Sequence, residues 1–363
     1  MQGLNSRTGE IIMPVVGHAM YIHMLDTALA EGYAYPAINV LELTSLNAAI
    51  EGFMAAKSDG IIQISVAAGM HTSGPAKDPV LGAITLAEHA RRLAEKADVY
   101  VAIHSDHCPT AKVDSFLKPL IAETARRRAA GLPNLFHSHM YDGSDLPMGE
   151  NLRIAEELLA LCRDNDIILE VEAGVVGGEE DGISGAPNAK LYTTPEDMLL
   201  VYETLSRVKG GRFMLAATFG NVHGVYKPGH VKLMPRILQE GQEAVMARHD
   251  KKARMWLVFH GGSGTSIQEI HETLNYGVVK MNVHTDTQYA LTRAVADHFY
   301  TRYAGVLKVD GEVGVKQDYL ASTWLDKGRA GMAARVVQSC EELKSAGKSL
   351  GRGDRGQGTG SRR

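Results

Sequence analysis

The chain has 363 residues, of which 45% are hydrophobic and 22% charged, and its formal net charge is −4. This is the composition of a folded protein with a large core, and its mild acidity excludes the basic footprint of a general nucleic-acid binder. No apolar run is long enough to span a bilayer and Met1–Glu10 is too polar for a secretory leader, while three scattered cysteines (Cys108, Cys162, Cys340) exclude a disulfide framework and point to the reducing cytoplasm.

Residues 1–17 read as a loose arm leading into a helix over His18–Glu31. Eight apolar, β-branched runs follow, at Ala34–Val40, Gly60–Val66, Val99–His107, Asn134–Tyr141, Ile167–Gly174, Arg212–Gly220, Met255–Gly262 and Val278–Thr285. Between them, apolar residues three and four apart mark helices at Ser45–Lys57, Pro79–Lys96, Asn151–Asp164, Pro195–Lys209 and Thr287–Tyr303. Strands alternating with helices imply a parallel sheet, and eight such units in about 250 residues fit a closed (β/α)8 barrel. A doubly wound open sheet is the alternative with the same alternation. Beyond Tyr303 the chain is glycine-rich over Ala304–Val315, then helical over Gly331–Ala346. Gly347–Arg363 is rich in Gly, Arg and Ser with almost no apolar residue, so it is expected to be disordered. The expected organisation is an arm over 1–17, one α/β (TIM) barrel over 18–346 with an extra amino-terminal helix and a helical carboxyl-terminal extension, and a tail over 347–363.

The carboxyl ends of the eight runs hold the polar residues. In a barrel these ends meet at one mouth, where active sites lie. The third run ends in His104, Asp106 and His107, and Pro109 stops it. The fourth carries His137, His139 and Asp142. In the fifth, Glu170 and Glu172 are two apart and so share a face. The sixth ends Asn221-Val222-His223-Gly224, the seventh His260-Gly261-Gly262-Ser263-Gly264, and the eighth Lys280-Met281-Asn282-Val283-His284-Thr285. His107, His223 and His260 can meet at the mouth, and three imidazoles with one open position are a ligand set of catalytic zinc. Each histidine singly has an ordinary reading as a core or surface residue. Their joint position beside glycine turns is what points to a metal. The turns themselves offer backbone N–H groups after strands seven and eight, the usual place for phosphate in such barrels. Gly174–Gly182, glycine-rich and acidic, is either a solvated turn or a lid carrying a carboxylate.

Together, Ser105–Pro109, Leu169–Glu172, Gly177–Gly182, Ala217–Tyr226, Phe259–Gly264 and Lys280–Val283 resemble the zinc-dependent class II fructose-bisphosphate aldolases, in order over about residues 18–350. The resemblance implies a TIM barrel that cleaves fructose 1,6-bisphosphate reversibly to dihydroxyacetone phosphate and glyceraldehyde 3-phosphate, a step of glycolysis and gluconeogenesis. It implies Zn2+ on His107, His223 and His260, with Asp142 and Glu172 at a second divalent metal position. Asp106 would be the acid/base at the C4 hydroxyl, and Glu180 would move the proton at C1. Asn39, Ser65, Gly224, Gly261, Gly262, Ser263, Asn282, Val283, His284 and Thr285 would surround the substrate and its phosphate, with Na+ or K+ near the phosphate loops. A sugar phosphate substrate and a homodimer or larger homo-oligomer are implied, with no nucleic-acid or membrane partner.

Three positions depart from the family pattern. His284 stands where the family has Asp, and Val66-Ala67-Ala68-Gly69 follows Ser65 where the family has a Gly-Gly pair. The family's Pro-Arg pair, whose arginine meets the distal phosphate, is absent from the corresponding stretch Tyr319–Trp324, which carries Ser322, with Arg329 the candidate substitute. These changes imply, as an alternative, specificity for tagatose 1,6-bisphosphate or another ketose phosphate. Other readings of the same residues are a Schiff-base aldolase using Lys280, a metal-dependent hydrolase, and a catalytically dead sugar-phosphate sensor.

Overall fold

A computed structural model describes residues 16–174, 177–180, 183–185, 192–223, 233–262, 264–307 and 313–351, with backbone alone for 177–180, 183–185 and 222–223. In chain order the elements are α1 His18–Glu31, β1 Tyr35–Asn39, α2 Leu43–Ala56, β2 Gly60–Ile64, α3 Val66–Thr72, α4 Pro79–Ala94, β3 Val101–Ser105 and α5 Lys118–Ala129. Then come β4 Ser138–Tyr141, α6 Met148–Asp164, β5 Ile168–Ala173, β6 Gly177–Glu180, β7 Ile183–Gly185, α7 Pro195–Leu205, β8 Phe213–Ala217 and β9 Val222–His223. The last are α8 Arg236–Arg248, β10 Trp256–Phe259, α9 Ile267–Asn275, β11 Val278–Val283, α10 Thr285–Thr301, α11 Tyr303–Val306, α12 Lys316–Tyr319 and α13 Ala321–Glu342.

Each of the eight apolar runs holds one barrel strand, in the closed order β1-β11-β10-β8-β5-β4-β3-β2. Every neighbouring pair is parallel, so the chain forms a (β/α)8 barrel and not an open sheet. A smaller sheet, β7-β6-β9, joins the segments after β5 and β8.

Alternation along the strands explains the interior. Inward positions run Tyr35-Ala37-Asn39 on β1, Ile61-Gln63-Ser65 along β2, Ala102-His104-Asp106 along β3, Ile168-Glu170-Glu172 on β5 and Trp256-Val258-His260 along β10. The first members join α1 residues Tyr21, Met24, Leu25 and Ala28 in one buried apolar cluster. α1 therefore plugs the amino-terminal end of the barrel, and polarity begins further along, at Gln63, His104 and Glu170 within their strands and at Asn39 and His260 at the strand ends. A second, larger cluster fills the space between the strands and the outer helices.

Two stretches differ from expectation. α13 begins at Ala321, ten residues before the Gly331 start that the pattern suggests. Gly328 and Gly331 look like breakers, but each lies against α10: an added Cβ would meet Val295 Cγ2 at 2.9 Å and Ala290 O at 2.8 Å. Glycine there lets two helices approach closely. The tail boundary also moves. Gly347 N–H donates to Ala56 O at 2.9 Å, and Ser349 Oγ and Leu350 N–H donate to the Asp59 carboxylate at 2.6 and 2.9 Å. Hydrogen bonds to a buried carboxylate hold this segment, and half-buried Leu350 packs against the apolar cluster at the amino-terminal end of the barrel. Residues 1–15 and 352–363 of the arm and tail lie outside the described residues.

Candidate active site at the strand ends

The end of β3 is the centre of the site. Asp106 is buried, at 1% exposure, directly after the strand. Asn39 Nδ2 donates to its Oδ2 at 2.6 Å, and Asn282 Nδ2 reaches Oδ1 at 3.5 Å. Gln63 Nε2 in turn donates to Asn39 Oδ1 at 2.8 Å, which leaves the Asn39 amide nitrogen aimed at Asp106. The carboxylate is thus aimed by amides from β1 and β11.

His107, Glu172 and His260, from three strand ends, offer ligand atoms that all lie within 4.8 Å of one another. The rings of His107 and His260 are 4.7 Å apart, and His260 Nδ1 is 3.1 Å from Glu172 Oε2. His107 Nδ1 is 3.1 Å from Asp142 Oδ2, and Asp142 N–H donates to Cys108 O, tying β4's end to that of β3. His260 Nε2 is 2.8 Å from Glu170 Oε1. Burial would push His260's pKa down, but Glu170 and Glu172 outweigh it and the net shift is upward. Asp142 is only partly buried; that burial would raise its pKa, yet His107 and the Ser144 hydroxyl and N–H hold it below the usual carboxylate range.

Glu170 connects this centre to β11. Lys280 Nζ lies 2.9 Å from Glu170 Oε2 and donates to Asn282 Oδ1 at 2.6 Å, with both charged groups fully buried. Burial would raise Glu170's pKa; Lys280, His104 and His260 reverse this and hold it well below the ordinary value. A continuous chain of contacts therefore runs Asp106–Asn282–Lys280–Glu170–His260. The lysine is committed to a carboxylate and an amide, which leaves the Schiff-base reading without a free amine. His104 contacts Ser138 Oγ at 2.8 Å, and burial pushes its pKa well down, so it packs as a neutral ring.

The donor set fits a divalent cation. Buried Asp106, Glu170 and Glu172 face one buried lysine, and partly exposed Asp142 adds a fourth carboxylate. Such a surplus is costly without a cation. The second ring nitrogen of His260 is held by a carboxylate, the arrangement that orients metal-ligating imidazoles.

The remaining expected residues fall around this centre. Val283 ends β11, and His284 and Thr285 open α10. Ser65 caps α3, accepting from Ala68 N–H at 3.2 Å, so the Val66–Gly69 departure is a short helix. Gly261 has φ +64°, a backbone state suited to glycine, and an added Cβ at Gly262 would meet Met281 Cε at 2.0 Å. A cavity of about 350 Å3 adjoins Gly262, Asn282 and Val283. β9 brings the His223 backbone alongside β6, with Gly178 paired to His223 and Glu180 two residues further on. The side chains of Glu180 and His223, and all of Gly224 and Ser263, lie outside the described residues.

Some supporting contacts are visible only in the fold. Thr193 Oγ1 donates to Ala173 O and accepts from Thr218 N–H at 2.8 Å, closing the base of the loop after β5. Gly174, with φ +104°, sits where a Cβ would strike Thr218 Oγ1 at 2.1 Å. Asn221 Nδ2 donates to His260 O at 2.9 Å and so ties β8's end to β10's. Arg329, the candidate distal-phosphate group, is instead paired with Glu51 and Asp326 on the outer face of α2 and α13.

An eight-stranded parallel barrel with buried carboxylates, histidines and glycine turns at its strand ends has the architecture of the barrel enzymes, whose active sites lie at that end. The family is specified by comparison. Residues 19–348 match the model of the family described as "Fructose-bisphosphate aldolase class-II". The chain is 53% identical over 342 residues to a fructose-bisphosphate aldolase of Mycobacterium tuberculosis, covering 93% of this chain and 99% of that one. It is 52% identical over 339 residues to one of Streptomyces galbus, covering 93% and 100%. A crystal structure of fructose-bisphosphate aldolase from Campylobacter jejuni superposes with a TM-score of 0.81 at 35% identity, covering 92% and 97%. The chain belongs to the class II fructose-bisphosphate aldolase family, and it is an aldolase, a carbon–carbon lyase.

Proposed function

We propose that the enzyme cleaves fructose 1,6-bisphosphate reversibly to dihydroxyacetone phosphate and glyceraldehyde 3-phosphate, with a zinc ion on His107, His223 and His260. The observation that carries this reading is the convergence of His107, His260 and Glu172 beside buried Asp106. When bound, zinc supplies Lewis acidity where negative charge develops on the substrate's carbonyl oxygen. Asp106 takes the C4-hydroxyl proton as the C3–C4 bond breaks, and returns it in condensation. The amides of Asn39 and Asn282 fix the orientation of that carboxylate. Glu170 orients the His260 ring, and Lys280 offsets the charge of Glu170. Glu180, at the end of β6, moves the proton at C1. Asp142 and Glu172 form the second metal position. The glycine turn at Gly261 and Gly262, with Ser263 and Gly224, and the α10 start at Asn282–Thr285 cradle the dihydroxyacetone phosphate end, with a monovalent cation beside them; Asn39 and Ser65 line the substrate wall.

The test is metal removal. A chelator should abolish turnover and zinc should restore it, while undiminished turnover in metal-free enzyme would refute the zinc assignment.

A second reading concerns the substrate's far end. Arg329 is already held by Glu51 and Asp326, and Ser322 stands in the region of the family arginine. A missing distal-phosphate contact favours a ketose monophosphate such as fructose 1-phosphate; tagatose 1,6-bisphosphate, which keeps the C6 phosphate and differs only at C4, is the alternative if the substrate wall rather than the distal site has changed. Comparing kcat/KM for fructose 1,6-bisphosphate, tagatose 1,6-bisphosphate and fructose 1-phosphate separates the readings: equal values for the monophosphate would mean that no distal-phosphate site operates.

We place the enzyme in the cytoplasm as a homo-oligomer. Its three cysteines are free and buried, no described helix is long and apolar enough to cross a membrane, and Tyr289, Tyr300, Tyr303 and Tyr319 expose aromatic surface around α10 to α12. Light scattering would check the oligomeric state.

A further inference from the structure

The amino-terminal end of the barrel carries a second cleft, remote from the strand-end site. The turns entering β8 and β10 read Lys209-Gly210-Gly211-Arg212 and Lys251-Lys252-Ala253-Arg254. β8 and β10 are paired, with Met214 opposite Trp256, so the two turns lie side by side. Together with α1 they enclose a cleft of about 510 Å3. Its charged lining is Lys209, Arg212, Lys251, Lys252 and Arg254 against a single carboxylate, Asp26. A chain of net charge −4 thus gathers five cations in one hollow.

Some cations elsewhere on the surface are paired along their own helices, as in Arg91–Glu95, Arg126–Glu123 and Arg153–Glu157. Among the described residues, Lys209, Arg212, Lys251 and Lys252 have no carboxylate within ion-pair distance. Asp26 is one carboxylate against five cations, and its Oδ1 accepts the Trp256 indole N–H at 3.0 Å. The Arg212 guanidinium lies 5.7 Å from the centre of the Trp256 ring, which holds it over the cleft wall. Arg254 donates to Asn275 O at 2.8 Å, and burial lowers its pKa, as expected of a cation with no carboxylate to repay its desolvation. Half-buried Tyr202 and Phe213 complete an aromatic side.

We propose that this cleft binds a small polyphosphate anion, such as a nucleoside triphosphate or inorganic tripolyphosphate. Convergent lysines and arginines are the usual recognition set for phosphates, and the cleft volume falls in the range of small-molecule sites. The aromatic wall would add contact for a base. This site is independent of the aldolase reading, because its residues lie at the opposite end of the strands.

Trp256 is one of two tryptophans, so Trp324→Phe leaves it as the sole indole fluorophore. The full chain carrying that change would be titrated with adenosine triphosphate, with inorganic tripolyphosphate, and with a single-stranded oligonucleotide. Saturable change in Trp256 emission with either small anion is expected, weakening as salt rises. Preference between the two identifies the source, nucleotide or inorganic. Lys251→Glu with Lys252→Glu, both exposed positions, should weaken the binding by about tenfold or more while leaving aldol cleavage unchanged. No saturable change at millimolar anion, or equal affinity with and without the two lysines, would overturn the proposal. Tighter binding of the oligonucleotide through the same lysines would overturn it in favour of a nucleic-acid surface.

Discussion

The two ends of one barrel interior obey opposite rules. At the amino-terminal end, Tyr35, Ile61, Ala102, Ile168, Met214 and Val258 pack against α1 with almost no polar atoms. Two residues further along the same inward rows stand Gln63, His104, Glu170 and His260, all buried and joined through side-chain contacts. The lower half gains stability from apolar area removed from water. The upper half gives up such area and holds charges that are tolerable only because each meets a partner or a cation. One end builds the barrel and the other uses it.

Substitutions at the two ends should therefore separate activity from stability. The largest effect is expected for Asp106→Ala. Loss of an acid/base group should lower kcat by roughly 10²- to 10⁴-fold. Zinc content, measured by atomic absorption, should be kept, and loss of the metal along with activity would show that Asp106 is structural instead. Next are two changes that delete buried groups at opposite ends. Lys280→Met leaves Glu170 buried without its cation and should cost about 3–5 kcal/mol, together with weaker zinc binding. Ile168→Ala should cost about 2–5 kcal/mol from the cavity alone, with kcat of the folded fraction unchanged. If Ile168→Ala altered zinc affinity as strongly as Lys280→Met, the division between the two ends would fail.

The smallest effect expected concerns pH. Burial keeps His137 and His139 neutral, with pKa values pushed down from 6.5 to about 4 and about 3. Above 6.5 neither imidazole is protonated in either state, and stability is unaffected. As pH falls below 6.5 the unfolded chain binds protons that the native chain does not. Stability then drops until each native pKa is reached, by on the order of 3 kcal/mol for His137 alone. Urea midpoints at about pH 7 and about pH 5 would show this loss, and unchanged midpoints would mean that the two rings are already charged in the native state.

How much of this was legible in the sequence varies by element. All eight strands were readable, because a parallel barrel strand is buried on both faces and must be a short continuous apolar run. α13 was not readable from its start, since glycines that serve close packing against α10 look like breakers in isolation. The packed segment Gly347–Leu350 was invisible for a related reason: its partner is Asp59, nearly 300 residues away, and composition carries no record of a distant hydrogen bond.

The sequence by itself determined the alternation of strands and helices, the polar residues at the strand ends and the glycine turns beside them, because these follow from local periodicity and backbone freedom. Tertiary structure alone decided which charges pair. Glu170 and Lys280 each draw notice in the sequence, but nothing there pairs them. Barrel closure puts them 2.9 Å apart and connects His260 to Asp106 through them. It likewise sets the cationic turns before β8 and β10 side by side, since strands distant in sequence become neighbours only once the sheet has closed.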